Sequence, residues 1–304
     1  AQEGKLPLRV MASVREEQLE AAIGMGFRSG REVQGPVEGR YHDGWLKIFS
    51  DGALGSRTAA LLEPYEHDAA IGPPPAGPQG MRRLSPEELT ALTGRAAGAG
   101  IASQVHAIGD AAVRAALDVL AATAPVDGVA HRIEHAQLVD SMDVARFAAH
   151  GIAASVQPCH LLSDAEAARR AWGARTAMTF PLGDLDRAGT LMPFGTDAPV
   201  EPPDAWPGIA AAVTRRGPGW PEVARFHPRQ AISLERAIRA ACLDGPRSAG
   251  VADQGHLGPG ARADLIVVPA EPFADPRHAE LAAVRPLATL LDGEIVHEAA
   301  DFDP

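Results

Sequence analysis

The chain has 304 residues, enough for one large domain or two small ones, and its 46% hydrophobic content can fill a sizeable core although aromatics make up only 5%. A net charge of −11 argues against a nucleic-acid partner, whose phosphates need a basic face. No apolar run approaches the roughly 20 residues of a membrane span, and the two cysteines, Cys159 and Cys242, form no disulfide framework and no Cys-x-x-Cys pair, which fits a reducing compartment.

The chain opens without Met, basic n-region or apolar h-region and enters a strand-like run almost directly. The expectation is a chain cut mid-domain, with any targeting signal out of view and a cytoplasmic location. Leu6 to Ala12 reads as a first strand and Glu16 to Met25 as the helix after it. Trp45 to Phe49 is a second strand, ending in the loop Ser50-Asp51-Gly52-Ala53-Leu54-Gly55-Ser56-Arg57-Thr58. Lys47 stands inside that apolar strand. Lys is rarely buried without a partner, so it is either a snorkelling residue on an edge strand or a functional one.

Pro64 to Gly80 is rich in Pro and Gly and reads as a lid over a site or as a plain solvated insertion. Ser85-Pro86-Glu87-Glu88 starts a helix, with Ser as N-cap, Pro at N1 and Glu at N3. The next stretch is the most informative. Ile101 to His106 is a β-branched run, Ala111 to Ala122 has helical spacing with Val113, Leu117 and Leu120 on one face, and a second run ends at His135. Strands joined through a helix lie parallel. Their C-terminal ends share the sheet edge where α/β folds place their chemistry. His106 and His135 should therefore sit side by side, as ligands or as two satisfied polar residues.

Asp140 to Ala149 is the next helix, and Gly151 to Gln157 a strand followed by Pro158-Cys159-His160. Ala165 to Trp172 and Pro181 to Ala188 are helical. Gly189 to Pro199 is a strand ending at Asp197. Pro207 to Arg215 and Ser233 to Cys242 are helices. The remainder changes character: a turn-rich entry to a strand at Asp264 to Val268, then Leu287 to Leu291 and Glu294 to His297 joined by an Asp292-Gly293 hairpin turn. Residues 255–304 read as a small separate β layer.

The strand ends thus present Lys47, His106, His135 and Asp197, a set that suits a zinc-type catalytic site. Six segments carry a family likeness: Leu46 to Ala60, Val105-His-Ala-Ile-Gly-Asp110, Arg132-Ile-Glu-His-Ala-Gln137, Ser155-Val-Gln-Pro158, Gly195-Thr-Asp-Ala-Pro-Val200 and Gly258 to Val267. Taken in this order over nearly the whole chain, they resemble the amidohydrolase superfamily, in its YtcJ-like "amidohydrolase 3" branch.

The resemblance implies an α/β fold: a partial TIM-type (β/α)8 metal-dependent hydrolase barrel over residues 1–254, holding strands 3–8, with the C-terminal strands of a small β-sandwich in 255–304. It implies one or two divalent metals, expected to be Zn2+. Lys47 is their carbamylated bridging ligand, His106 and His135 are ligands, and Asp197 is both ligand and proton shuttle. The implied reaction is attack of metal-activated water on a carbon–nitrogen bond such as an amide, N-formyl or cyclic amide. Arg57 and His160 are expected on the substrate side. Expected partners are a small-molecule substrate and a second copy in a homodimer, with no nucleic acid and no membrane.

One departure stands out. The family takes two ligands from a His-x-His pair ending strand 1, and none of the eleven histidines here stands one residue from another. Strands 1 and 2 are expected to be absent, so this chain should hold at most one metal, weakly, through His106 and His135. The competing readings are a catalytically impaired fragment or degenerate homologue that binds metal weakly, and a dehydratase or isomerase on the same scaffold.

Overall fold

The computed structural model describes residues 6, 8–34, 39–217, 219–275, 277–300 and 302. Five strands form a parallel sheet in sequence order: β1 (Val10–Arg15), β2 (Tyr41–Phe49), β3 (Ser103–Ala107), β4 (Arg132–His135) and β5 (Ala153–Ser155). The helices between and after them are α1 (Leu19–Gly24), α2 (Pro86–Gly98), α3 (Asp110–Ala122), α4 (Val144–Ala149), α5 (His160–Trp172), α6 (Leu182–Arg187), α7 (Ala205–Thr214) and α8 (Leu234–Cys242). A separate three-stranded antiparallel sheet holds β6 (Leu265–Val267), β7 (Ala288–Leu291) and β8 (Glu294–Glu298). This is the α/β class expected of a partial barrel. None of the described helices is long and apolar enough to cross a membrane.

The register explains the layers. Ile48, Val105, Ile133 and Ala154 are paired across β2 to β5, and all are fully buried. They form one apolar row, packed with Val113, Leu117 and Leu120 of α3 in the main core. One residue along, Phe49, His106, Glu134 and Ser155 are paired. Side chains alternate across a strand, so this polar row takes the opposite face, together with Lys47, Gln104 and Arg132. The apolar row thus meets the helices, and the other face carries the polar side chains.

Several boundaries differ from the sequence reading. β2 begins at Tyr41, four residues early, because buried Asp43 is satisfied by Arg28 N at 3.1 Å and Arg31 Nε at 2.8 Å. The expected sixth parallel strand, 189–199, is corrected. It runs beside β5 through Ala154 N to Leu191 O, Val156 N to Pro193 O and Gly195 N to Val156 O, but joins the sheet only by a parallel bridge between Val156 and Phe194. Pro193 has no N–H to give to a ladder. The α2 cap is as expected, with Ser85 Oγ accepting from Glu88 N and Glu88 Oε2 from Ser85 N. In the β7–β8 hairpin Asp292 and Gly293 both have positive φ, as that two-residue turn demands. The C-terminal segment is not wholly apart: Val284 belongs to the main core, and Val268 and Phe273 pack against it.

Candidate active site

At the C-terminal edge of the parallel sheet, Lys47, Phe49, His106, His135, Gln137, His160, Asp164 and Asp197 line one cavity of ≈ 320 Å³. That size suits a small-molecule site. Register alone would not bring the two histidines together. His106 is paired with Glu134, and His135 with Ala107, so alternation sends their side chains to opposite faces. His135, however, has φ 72, and Ala136 after it φ 39. This left-handed ending turns the His135 ring back over the strand edge, where it meets the His106 ring edge-to-face at 4.6 Å between centroids. His160, at the first turn of α5, stacks on His135 at 6.0 Å. Asp197 also has positive φ, 57. Non-glycine residues in this region cost of order 1–3 kcal/mol and cluster at functional sites.

Burial and neighbouring positive charge keep the His106 and His135 imidazoles neutral. Burial pushes His106 down to about 4. Burial, then the charges of His106, Lys47 and His160, hold His135 well below the usual range. His106 Nε2 lies 2.9 Å from Gly52 O. A carbonyl only accepts, so Nε2 carries the proton and Nδ1 keeps a free lone pair. His135 Nδ1 and His160 Nε2 are buried without hydrogen-bond partners, an arrangement that costs free energy unless another group meets them. Burial also lowers the Lys47 ammonium, against the carboxylates of Glu134 and Asp197. Its Nζ stands 4.9 Å from the Phe49 ring centre.

These residues fit a divalent cation in donor type: neutral imidazoles with unspent nitrogens, an exposed carboxylate at Asp197 and a lysine biased toward its neutral amine. They are gathered but not closed. No three His, Cys, Asp or Glu side chains among the described residues form a ready metal-binding group.

Arg57 is not brought to this cavity. Its guanidinium donates to the carbonyls of Ile71, Gly72 and Pro73, which fastens the Pro/Gly-rich loop, and it lines a neighbouring cavity. Arg132 is an interior structural residue, 2.8 Å from Glu134 and stacked 3.7 Å from the Trp45 ring centre. His131 is likewise structural, with Nδ1 accepting from Ser103 N and Nε2 facing Ala124 O.

Residue-level reading of the sequence missed Asp51 and Glu134. Asp51 is almost fully buried and accepts from the N–H groups of Ala60, Ile108 and Gly109, with His106 Nε2 at 3.4 Å. It ties the loop after β2 to the loop after β3, and so places Gly52 O against His106. A carboxylate immediately after a strand was the available signal.

Comparison with known proteins gives the chain a family. The profile of the family described as "Amidohydrolase family" matches residues 1–297. The protein named as the amidohydrolase YtcJ of Bacillus subtilis (strain 168) is 32% identical over 303 residues, covering 97% of this chain and 53% of that one. Protein LONG AFTER FAR-RED 3 of Arabidopsis thaliana is 33% identical over 231 residues, covering 74% and 38%. Among solved structures, an uncharacterized metal-dependent hydrolase from Pyrococcus horikoshii OT3 superposes with a TM-score of 0.74 at 33% identity, covering 86% of this chain and 50% of that one. The chain thus spans about half the length of YtcJ and of the Pyrococcus protein. By the match over nearly all its residues, the chain belongs to the amidohydrolase family.

Proposed function

We propose that this protein is a metal-dependent hydrolase of carbon–nitrogen bonds other than peptide bonds, such as amide, N-formyl or cyclic amide groups. The observation that carries this is the His106–His135 pair, 4.6 Å apart at one strand edge and held neutral, in a cavity shared with Lys47 and Asp197. Lys47, His106, His135 and Asp197 hold the ion, Zn2+ being the choice that imidazole and carboxylate donors suit. The kinship with a protein titled a metal-dependent hydrolase supports the same reading.

A bound divalent ion polarises a carbonyl and acidifies water. The chain's own residues do the rest. Gly52 O fixes the His106 tautomer. The Lys47 amine, lowered by burial, takes up CO2 to give a carbamate and one released proton. Asp197, exposed at the cavity rim, takes the proton of the attacking water and returns it to the leaving nitrogen. His160 faces the substrate from α5.

The test combines metal content with hydrolysis of a panel of N-formyl and N-acetyl amino acids and cyclic amides. Expected outcomes are loss of bound metal in His106→Ala and His135→Ala, turnover lowered about 10²–10⁴-fold in Asp197→Asn, and no change in His256→Ala, whose exposed ring caps a distant turn. Intact-protein mass should increase by one CO2, and Lys47→Arg should abolish the increase. Full turnover in the two histidine variants would refute the assignment. The alternative reading, a weak metal binder without activity, draws on the lack of a closed ligand group among the described residues. It predicts less than one metal per chain and no hydrolysis in the unaltered protein.

A further inference from the structure

Arg215 follows the last turn of α7 and is fully buried, at 0% exposure. Its backbone is left-handed, φ 57. Its Nε donates to Phe226 O at 3.0 Å, and Phe226 N donates back to Arg215 O. The rest of the guanidinium is unspent: Nη1 and Nη2 are both buried without a hydrogen-bond partner. Arginine stays charged in proteins, and an unpaired buried charge is among the costliest features a fold can carry.

The surroundings worsen the imbalance. Arg225 is the nearby charge felt by Arg215, and its own Nε is spent on Thr214 O at 2.8 Å. Arg169 stands 5.1 Å from the Phe226 ring centre, and the His227 ring 4.5 Å from it. Burial first, then Arg215 and Arg169, hold His227 toward its neutral form. Glu166 is 3.9 Å from Arg169, but no carboxylate among the described residues pairs with Arg215. Water would satisfy the two nitrogens without offsetting the charge. An anion does both, and the full enclosure of the residue restricts it to small ones. Arg215 is not among the residues lining the candidate active site, so this feature stands apart from the chemistry proposed there.

We propose that Arg215 is the binding group of a buried small-anion site, with Nη1 and Nη2 donating to an inorganic anion of halide size and Arg225 adding favourable charge. The ion is structural: it offsets the Arg215 guanidinium charge where α7 meets the turn that carries Phe226 and His227.

The test is thermal unfolding of the purified protein in sodium gluconate, with chloride or bromide titrated in at fixed ionic strength. Expected is a saturable rise in Tm of roughly 2 °C or more, absent in Arg215→Met. Crystals of the unaltered protein in bromide should carry an anomalous peak within hydrogen-bond reach of both Nη atoms. This second measurement decides the matter if Arg215→Met does not fold. Identical Tm values in gluconate and chloride, or bromide crystals with no peak at Arg215, overturn the proposal and leave the guanidinium to water. A Tm response that persists unchanged in Arg215→Met overturns it as well.

Discussion

His131 illustrates how a buried titratable group ties stability to pH. Its Nδ1 accepts from Ser103 N at 3.0 Å, and its Nε2 faces Ala124 O at the same distance. Burial, the larger cause, lowers the His131 pKa against the Ala124 carbonyl, which raises it, and a proton on Nδ1 would break the bond from Ser103 N. The folded pKa therefore lies below the unfolded value near 6.5. Below about pH 6.5 the unfolded chain gains a proton that the folded chain refuses, so unfolding free energy falls as pH falls. The cost is at most about 1.4 kcal/mol per pH unit for each such group. Metal-stripped protein unfolded in urea between pH 7 and pH 5 should lose stability, and His131→Gln should lose measurably less over the same interval. Equal slopes would show that His131 titrates freely in the fold. At this scale the sequence was partly legible. Lys47, His106, His135 and Asp197 announced themselves because each ends or interrupts an apolar run. Asp51 and Glu134 did not, because an Asp that accepts three loop N–H groups and a Glu paired to Arg132 are defined by distant partners. Nor could the left-handed turn at His135 be read, although it is what makes two out-of-register histidines neighbours.

At the scale of elements, the cavity depends on how the loops after β2 and β3 nest. Gly109, just before α3, shows the tolerance. A Cβ built there would stand 2.0 Å from Ala60 O, with Ala60 C and N also inside 3 Å. These are backbone atoms that cannot swing aside. The same short segment presents Gly109 N to Asp51 Oδ2 at 2.9 Å, so the loops are held from both sides. Gly109→Ala should destabilise the protein by about 2 kcal/mol or more through overpacking. Asp51→Ala should cost about 3 kcal/mol, because three buried N–H groups lose their acceptor. Urea unfolding measures both; a neutral Gly109→Ala would mean that the loop slides freely over α3. Local signals served well where the chemistry is local, as in the Ser85 capping box and the Asp292-Gly293 turn. They failed where tertiary pairing overrides composition. Buried Asp43 lies inside β2 because Arg31 reaches it, and Pro193 keeps the segment beside β5 from forming a ladder although its residues alternate like a strand.

For the molecule as a whole, the question is what fastens the three-stranded sheet to the barrel portion. Two kinds of contact do so. One is apolar: Leu281 and Val284, at 0% and 3% exposure, lie in the segment leading to β7, and Val284 joins the main core. The other is ionic and spans nearly the length of the chain. Arg9, beside the start of β1, holds Asp264 with Nη2 to Oδ1 at 3.1 Å, and also grips Asp292 and Gly39 O. Asp264 Oδ1 in turn accepts from Asp292 N at 2.9 Å, so the β6 entry and the β7–β8 turn meet on one guanidinium. The Arg9 side chain is only 10% exposed, which limits solvent screening. Without it, the two carboxylates would face each other with Arg40 and Arg262 as the remaining, more distant cations, at 3.5 Å and 3.9 Å from Asp292. Arg9→Met keeps the apolar stem and removes the fork. It should loosen β6 to β8 by roughly 2 kcal/mol, seen as amide exchange accelerated about tenfold or more across these strands. Exchange around Leu281 and Val284, and in β2 to β4 beneath the candidate active site, should stay as it is. Uniform acceleration throughout the chain would instead make Arg9 a global stabiliser, and no change in β6 to β8 would leave the apolar contact as what holds that sheet in place.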